Sequence, residues 1–219
     1  MDNLGNRMKQ YERVSKNFLL SKTPVILRVD GKAFHTFTKD FQRPFDYSLI
    51  RAMLEAGKEV AKNAMGFVFG YHQSDEFSFY LTNTQNLNSE MWFGGEVQKL
   101  CSVTASIFTA RFSSLLGTNA YFDCRAFNVP ENDAPNYFVW RQKDWIRNSI
   151  QMLASSQFSH ISLQGKNRES MKKMLLENGT DWESLPPKLK YGTFLTSDLE
   201  EISEEDTYAG LCFLMNLDG

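Results

Sequence analysis

Between residues 23 and 130 the spacing of apolar positions switches repeatedly between two periods. TPVILRVD (23–30) is a short apolar run rich in β-branched residues and predicts a buried strand. DYSLIRAMLEAGKEVAKNAM (46–65) sets Leu49, Ile50, Met53, Leu54, Val60 and Ala61 at helical spacing behind Asp46, a residue suited to cap the first turn. GFVFGYHQ (66–73) and EFSFYLT (76–82) predict two strands around a turn, with Phe77, Phe79 and Leu81 alternating in the second. MWFGGEVQKLCSVTASIFTARFSSLLG (91–117) predicts a long helix weakened at Gly94–Gly95, and AYFDCRAFNV (120–129) another strand. The order is β-α-β-β-α-β, the split βαβ or ferredoxin-like arrangement.

Beyond Pro130 the pattern turns helical, in APNYFVWRQKDWIRNSIQMLASSQF (134–158) and NRESMKKMLLENG (167–179). TDWESLPPKLKYGTFL (180–195) carries a Pro-Pro stop before an extended stretch. The fold class predicted is α+β: an antiparallel sheet with helices on one face over residues 1–130, then a helical appendage over 131–219. The two are expected to form one compact unit, with QYERVSKNFLL (10–20) packed on the core.

The ferredoxin-like order makes the first and third strands antiparallel neighbours, so the end of one lies beside the start of the other. Asp30 ends the first, and Asp75 and Glu76 open the third. Read alone, QSDE is a polar hairpin turn. Read with Asp30, it predicts carboxylates converging at one edge of the sheet, where oxygen ligands suit Mg²⁺. DGKAFHTFTK (30–39) follows with a glycine that permits close approach and N–H groups able to face a triphosphate. Lys32, Lys39 and Arg43 carry the right charge, although each taken singly reads as a solvated loop residue. Phe34 and Phe37 read as core or loop anchors rather than stacking platforms. Acids, glycine and basic loop together describe two-metal phosphoryl transfer.

Composition narrows the class without naming the chemistry. With 219 residues, 42% hydrophobic and 23% charged, the chain fits a globular protein, and no apolar run approaches a membrane span. No secretory pattern is visible at the start, so a cytoplasmic location is expected. Cys101, Cys124 and Cys212 are scattered and odd in number, which argues against a disulfide framework or zinc site. His35, His72 and His160 are equally dispersed. Residues 141–190 hold 9 Lys+Arg against 5 Asp+Glu, and residues 191–219 hold 7 acids and no basic residue. An acidic tail thus masks a mildly basic body that can accept a phosphate backbone, although solvated surface explains both runs.

LRVDGKAFHTF (27–37) and YHQSDEFSF (71–79) closely resemble the tRNA-His guanylyltransferase family, the 3′–5′ nucleotide polymerases. KLCSVTASIF (99–108), FDCRAF (122–127), WRQKDWIRNS (140–149), LQGK (163–166) and LPPKLKYGT (185–193) extend the resemblance over residues 6–195. The resemblance implies a polymerase palm and nucleotide addition to the 5′ end of tRNA, after ATP activates a 5′-monophosphate. It implies two Mg²⁺ ions on Asp30 and Asp75, assisted by the carbonyl of Gly31, with Glu76 the adjoining catalytic acid. ATP and GTP or another triphosphate would contact Asp30, Gly31, Lys32, Ala33, Phe34, His35, Ser74 and Asp75. Arg43, where the family usually has Lys, and Lys99 would stabilise phosphates. Arg125 and Asn148 would lie on the RNA or second-nucleotide side, and a homotetramer is implied. The HINNLYN motif of members that add guanylate to tRNA-His is missing: DWIRNSIQML (144–153) keeps Asn148 and little else. That departure resembles the shorter branch associated with template-dependent repair of 5′-truncated tRNA.

Two rivals stand beside this reading. RNA-recognition modules share the strand order and stack bases on aromatics, as GFVFGYH suggests, but their aromatic run lies on the third strand and needs no acids. A palm-type nucleotidyl cyclase would use the same acids on a nucleotide alone, and the basic segment favours a polymeric partner over it.

Overall fold

The computed structural model describes residues 3–205. Its elements run α1 (Asn3–Val14), β1 (Val25–Gly31), a single turn α2 (Phe34–Phe37), α3 (Tyr47–Asn63), β2 (Phe67–Gln73) and β3 (Glu76–Leu81). There follow α4 (Val97–Leu116), β4 (Phe122–Asn128), α5 (Ala134–Ser155), α6 (His160–Leu163), α7 (Arg168–Glu177), α8 (Pro187–Tyr191), β5 (Thr193–Leu195) and β6 (Glu201–Ile202). The strands make one antiparallel sheet in the order β4-β1-β3-β2-β5-β6. Its first four strands have the predicted ferredoxin-like arrangement. The stretch after the Pro-Pro stop supplies β5 and continues the sheet past β2.

Alternation along the strands sorts the core into two layers. Val25, Leu27 and Val29 of β1 join Phe77, Phe79 and Leu81 of β3 beneath α3 and α4. Ile26 and Tyr80 point the other way, with Phe69 and Tyr71 of β2, and meet Ala134 and Phe138 of α5. The two core helices therefore share one face, and the appendage closes part of the other. A third cluster, including Trp145, Leu175 and Trp182, binds α5 to α7 and α8.

Local chemistry explains the element boundaries. Asp46 caps α3 as expected, its Oδ1 accepting from the N–H groups of Ser48 at 2.8 Å and Leu49 at 3.1 Å. Gly57 sits mid-helix in α3, where a Cβ would lie 2.1 Å from the Phe77 ring, so its absence lets the helix approach the sheet. The long helix expected from Met91 is broken: Phe93, Gly94 and Gly95 have φ of 51°, 61° and 78°, and α4 starts only at Val97. Three successive left-handed residues cannot propagate a right-handed helix.

The N-terminal expectation needs correction. Leu19 packs on the core and the Leu20 N–H donates to Asn128 Oδ1 at 2.8 Å, but α1 buries none of its residues. Cys212 and the acidic tail from residue 206 onward lie outside the described residues. Among those described, no helix is long and apolar enough to cross a membrane.

Candidate active site

The register of β1 with β3 places Asp30 directly opposite Glu76, and Asp75 occupies the turn just before it. The Gly31 N–H donates to the Asp75 carbonyl at 3.1 Å, tying the turn to the end of β1. Ser74, with φ of 51°, makes the turn and its carbonyl accepts from His72 Nε2 at 3.1 Å. Burial, and then the charge of Asp30, push the Asp75 carboxyl above its ordinary value, against its own N–H and the Ser74 hydroxyl. Neither Asp30 nor Asp75 has an ion-pair partner among the described residues. Two nearby acids without a counter-charge fit a divalent cation.

No group of three or more His, Cys, Asp or Glu side chains among the described residues is arranged to hold a metal by itself. Mg²⁺ keeps water and substrate oxygens in its shell and takes one or two protein carboxylates, so a site for it does not require such a group. Asp30 and Asp75, with the Gly31 carbonyl, could hold it.

Glu76, expected as the adjoining catalytic acid, is held by a buried arginine. Arg141 Nε donates to its Oε1 and Nη2 to its Oε2, each at 2.7 Å. Burial raises the Glu76 carboxyl and the guanidinium works against that rise. With both oxygens engaged, Glu76 anchors α5 to the start of β3. Arg141 also reaches Asp144, which accepts in turn from Arg147 and Asn148. Asn148 thus belongs to a polar chain ending at the acids. Arg141 is given no role by the sequence beyond its place in WRQKDWIRNS, although a charged residue at buried helical spacing between Phe138 and Trp145 is a visible signal.

The loop after Asp30 is only partly free for phosphate. Its glycine makes room for the Phe34 ring, 2.4 Å from where a Cβ would stand. Phe34 and Phe37 anchor against Phe112, and Phe34 also against Phe122. The Gly31 N–H is taken by Asp75, and the Lys32 N–H donates to the Tyr121 carbonyl at 2.8 Å. The N–H groups of Ala33, Phe34 and His35 have no partner among the described residues. The expectation that the whole run faces a triphosphate narrows to these three.

Beside them opens a cavity of about 370 Å³, lined among others by Phe34, His35, Arg43, Ser74, Trp145 and Lys188. It is large enough for a nucleoside and mostly apolar in its walls. Arg43 stands exposed at its mouth, while Lys32 is exposed on the loop outside it. Gln42 and Lys188 were missed, because only the fold brings the loop before α3 against α8.

Lys99 does not share this site. It lies in the first turn of α4, paired with Glu96 at 3.7 Å. Phe112, the α4 residue that meets Phe34, is 13 residues further on, about 20 Å along the axis. The helix also covers the sheet face opposite the Asp30 side chain, which corrects the expected placement. Arg125 is on the Asp30 face of β4, opposite Arg28 in register and 3.7 Å from Asp123.

Residues 5–130 match the model of the family described as tRNAHis guanylyltransferase. The structure superposes on a bacterial tRNA(His) guanylyltransferase-like protein in complex with ATP with a TM-score of 0.92, at 37% identity over 98% of each chain. Against such a protein in complex with GTP the TM-score is 0.81, at 39% identity over 89% of this chain and 84% of that one. The tRNA(His) guanylyltransferase of Schizosaccharomyces pombe is 33% identical over 156 residues, which span 65% of this chain and 56% of that protein.

Proposed function

Because the chain belongs to the tRNAHis guanylyltransferase family and is a nucleotidyltransferase, we propose that it extends the 5′ end of tRNA in the 3′–5′ direction. The reaction is template-dependent repair of 5′-truncated tRNA. ATP first activates a 5′-monophosphate, releasing pyrophosphate; the 3′-OH of an incoming nucleotide then attacks that phosphorus and AMP leaves. The observation that carries this reading is that Asp30 meets the Ser74–Asp75 turn, whose Ser74 lines a nucleoside-sized cavity.

Asp30 and Asp75, with the Gly31 carbonyl, would hold two Mg²⁺ ions. Bound there, the ions supply positive charge to phosphate oxygens and lower the pKa of an attacking hydroxyl. The remaining work falls to the chain. The cavity orients the nucleoside, the Ala33–His35 N–H groups and Arg43 face its phosphates, and Arg141 fixes the start of β3 through Glu76. Such a preorganised set of donors needs little rearrangement during transfer.

The repair reading rests on DWIRNSIQML, which lacks the guanylate-adding motif. A homotetramer belongs to the same proposal. The test is a tRNA lacking its first 5′ nucleotide, offered with Mg²⁺ and labelled triphosphates in four versions that differ in the opposing base. Incorporation should follow that base. Guanylate added whatever the base would instead establish the tRNA-His-specific reaction, and no product with any version would defeat both.

A further inference from the structure

Of the four tryptophans, Trp92, Trp145 and Trp182 are 8%, 4% and 3% exposed, but Trp140 is 53% exposed. It is nevertheless held in place. The Arg141 guanidinium carbon lies 4.5 Å from its ring centroid, and Tyr137 meets it edge-on at 5.8 Å. Tyr137 is itself fixed, sharing a 2.8 Å hydrogen bond with Ser78 and packing edge-on against Phe127 of β4. Trp140 therefore overlooks the part of the sheet that α5 leaves open, above β1 and β4.

The floor of that open strip has an order of its own. Arg28 lies opposite both Ser78 and Arg125 in register, and the next row inward to the site sets Asp30 opposite Glu76 and Asp123. The Arg28 Nε is buried and has no hydrogen-bond partner among the described residues. An unpaired buried guanidinium N–H is costly unless something arrives to accept from it. A rigid aromatic face, two arginines and a pair of metal-fitting acids occur side by side. This combination suits a nucleic-acid end, with its base for the indole and its phosphates for the arginines.

The nucleoside cavity cannot be the reason for Trp140. Trp145, which lines the cavity, lies five residues on, about 140° around α5 at 100° per residue. The two tryptophans face different spaces on either side of the helix that Arg141 pins to Glu76. Two reacting partners need two such spaces.

We propose that the Trp140 indole is the stacking platform for the terminal base of the RNA end being extended. The inference rests on the nucleotidyl-transfer reading above and names where its second substrate lies. Trp140 is a positioning group, touching the base rather than the reacting phosphorus.

Two measurements test it. In the first, 5′-monophosphorylated tRNA lacking its first nucleotide is titrated into the full chain while tryptophan emission is followed, with binding checked by anisotropy of labelled RNA. Trp140 is the accessible indole, so emission should fall on binding, and the fall should vanish in Trp140→Phe. An identical change in that variant, or none in the wild type, overturns the proposal. In the second, Trp140→Ala should raise the KM for RNA roughly 5- to 100-fold while the KM for ATP stays within about twofold. Trp140→Tyr should restore most of the loss. An unchanged RNA KM, or a changed sedimentation coefficient with unchanged RNA KM, assigns the indole elsewhere, the latter to contact between copies. If the wild type extends no RNA, the transfer reading has failed, and the emission titration still decides Trp140.

Discussion

Arg141 and Glu76, 65 residues apart in sequence, form a bidentate ion pair with side chains 9% and 6% exposed. The pair joins the helix of the appendage to the strand that begins beside Asp75. Buried pairs of this kind add little net stability, because desolvation offsets their attraction, but breaking one leaves an uncompensated charge.

Arg141→Met should therefore lower stability by about 3–5 kcal/mol, read from the midpoint of urea unfolding. The double variant Arg141→Met with Glu76→Gln should regain part of that loss, since the stranded carboxylate is gone. An Arg141→Met protein that unfolds at the wild-type midpoint would show that the pair carries no such constraint.

Asp30→Asn and Asp75→Asn should each abolish nucleotide incorporation. Their thermal midpoints should stay level or rise, because each change relieves the Asp30–Asp75 repulsion that, with burial of Asp75, raises the Asp75 carboxyl. The informative result is the combination. Retained incorporation excludes the metal assignment, whereas lost incorporation with a lowered midpoint points to a structural role for the carboxylate.

The convergence of Asp30 with Glu76 was legible because it needs only strand order and antiparallel pairing, and both follow from the period of apolar residues. The use of Glu76 was not legible. Two adjacent acids look alike in sequence, and only the twist of α5 across the sheet brings Arg141 to one of them. Lys99 shows the reverse limit: it sits inside a motif of the right family, yet the length of α4 carries it away from the acids. The break before Val97 was half-visible in Gly94–Gly95, while the left-handed turn at Phe93 had no signal in residue type. Trp140 was read as part of a motif, and its exposure emerges only once its neighbours at 138, 141, 142 and 145 are seen to face inward.

Gly57 gives a test in which two local rules disagree in sign. Helix propensity says that Gly57→Ala should stabilise α3 by roughly 1 kcal/mol. Packing says otherwise, because the new Cβ would meet the Phe77 ring at 2.1 Å, and that ring already fills the space where a Gly70 side chain would stand, 2.6 Å from its Cβ position. Phe77 cannot retreat without disturbing Phe79 and Phe108, both in ring contact with it. We expect a net loss of about 1–3 kcal/mol in chemical denaturation. A gain would mean that the sheet has room the structure does not display.

His72 ties stability to pH. The side chain is 4% exposed, and burial pulls its pKa from 6.5 down to about 4, with the hydrogen bond to the Ser74 carbonyl opposing part of the fall. A carbonyl only accepts, so Nε2 carries the proton of the neutral ring. In the unfolded chain the ring binds a second proton near pH 6.5, while the folded chain resists it until about pH 4. The stabilising difference is complete above pH 6.5 and is lost progressively as pH falls toward 4. Between pH 7 and pH 5 this group alone should remove about 2 kcal/mol. His72→Gln keeps a donor for the Ser74 carbonyl and cannot be charged, so its unfolding free energy should fall less over the same interval. Urea titrations of both proteins at the two pH values measure the difference, and parallel losses would show that His72 accepts its proton as readily folded as unfolded.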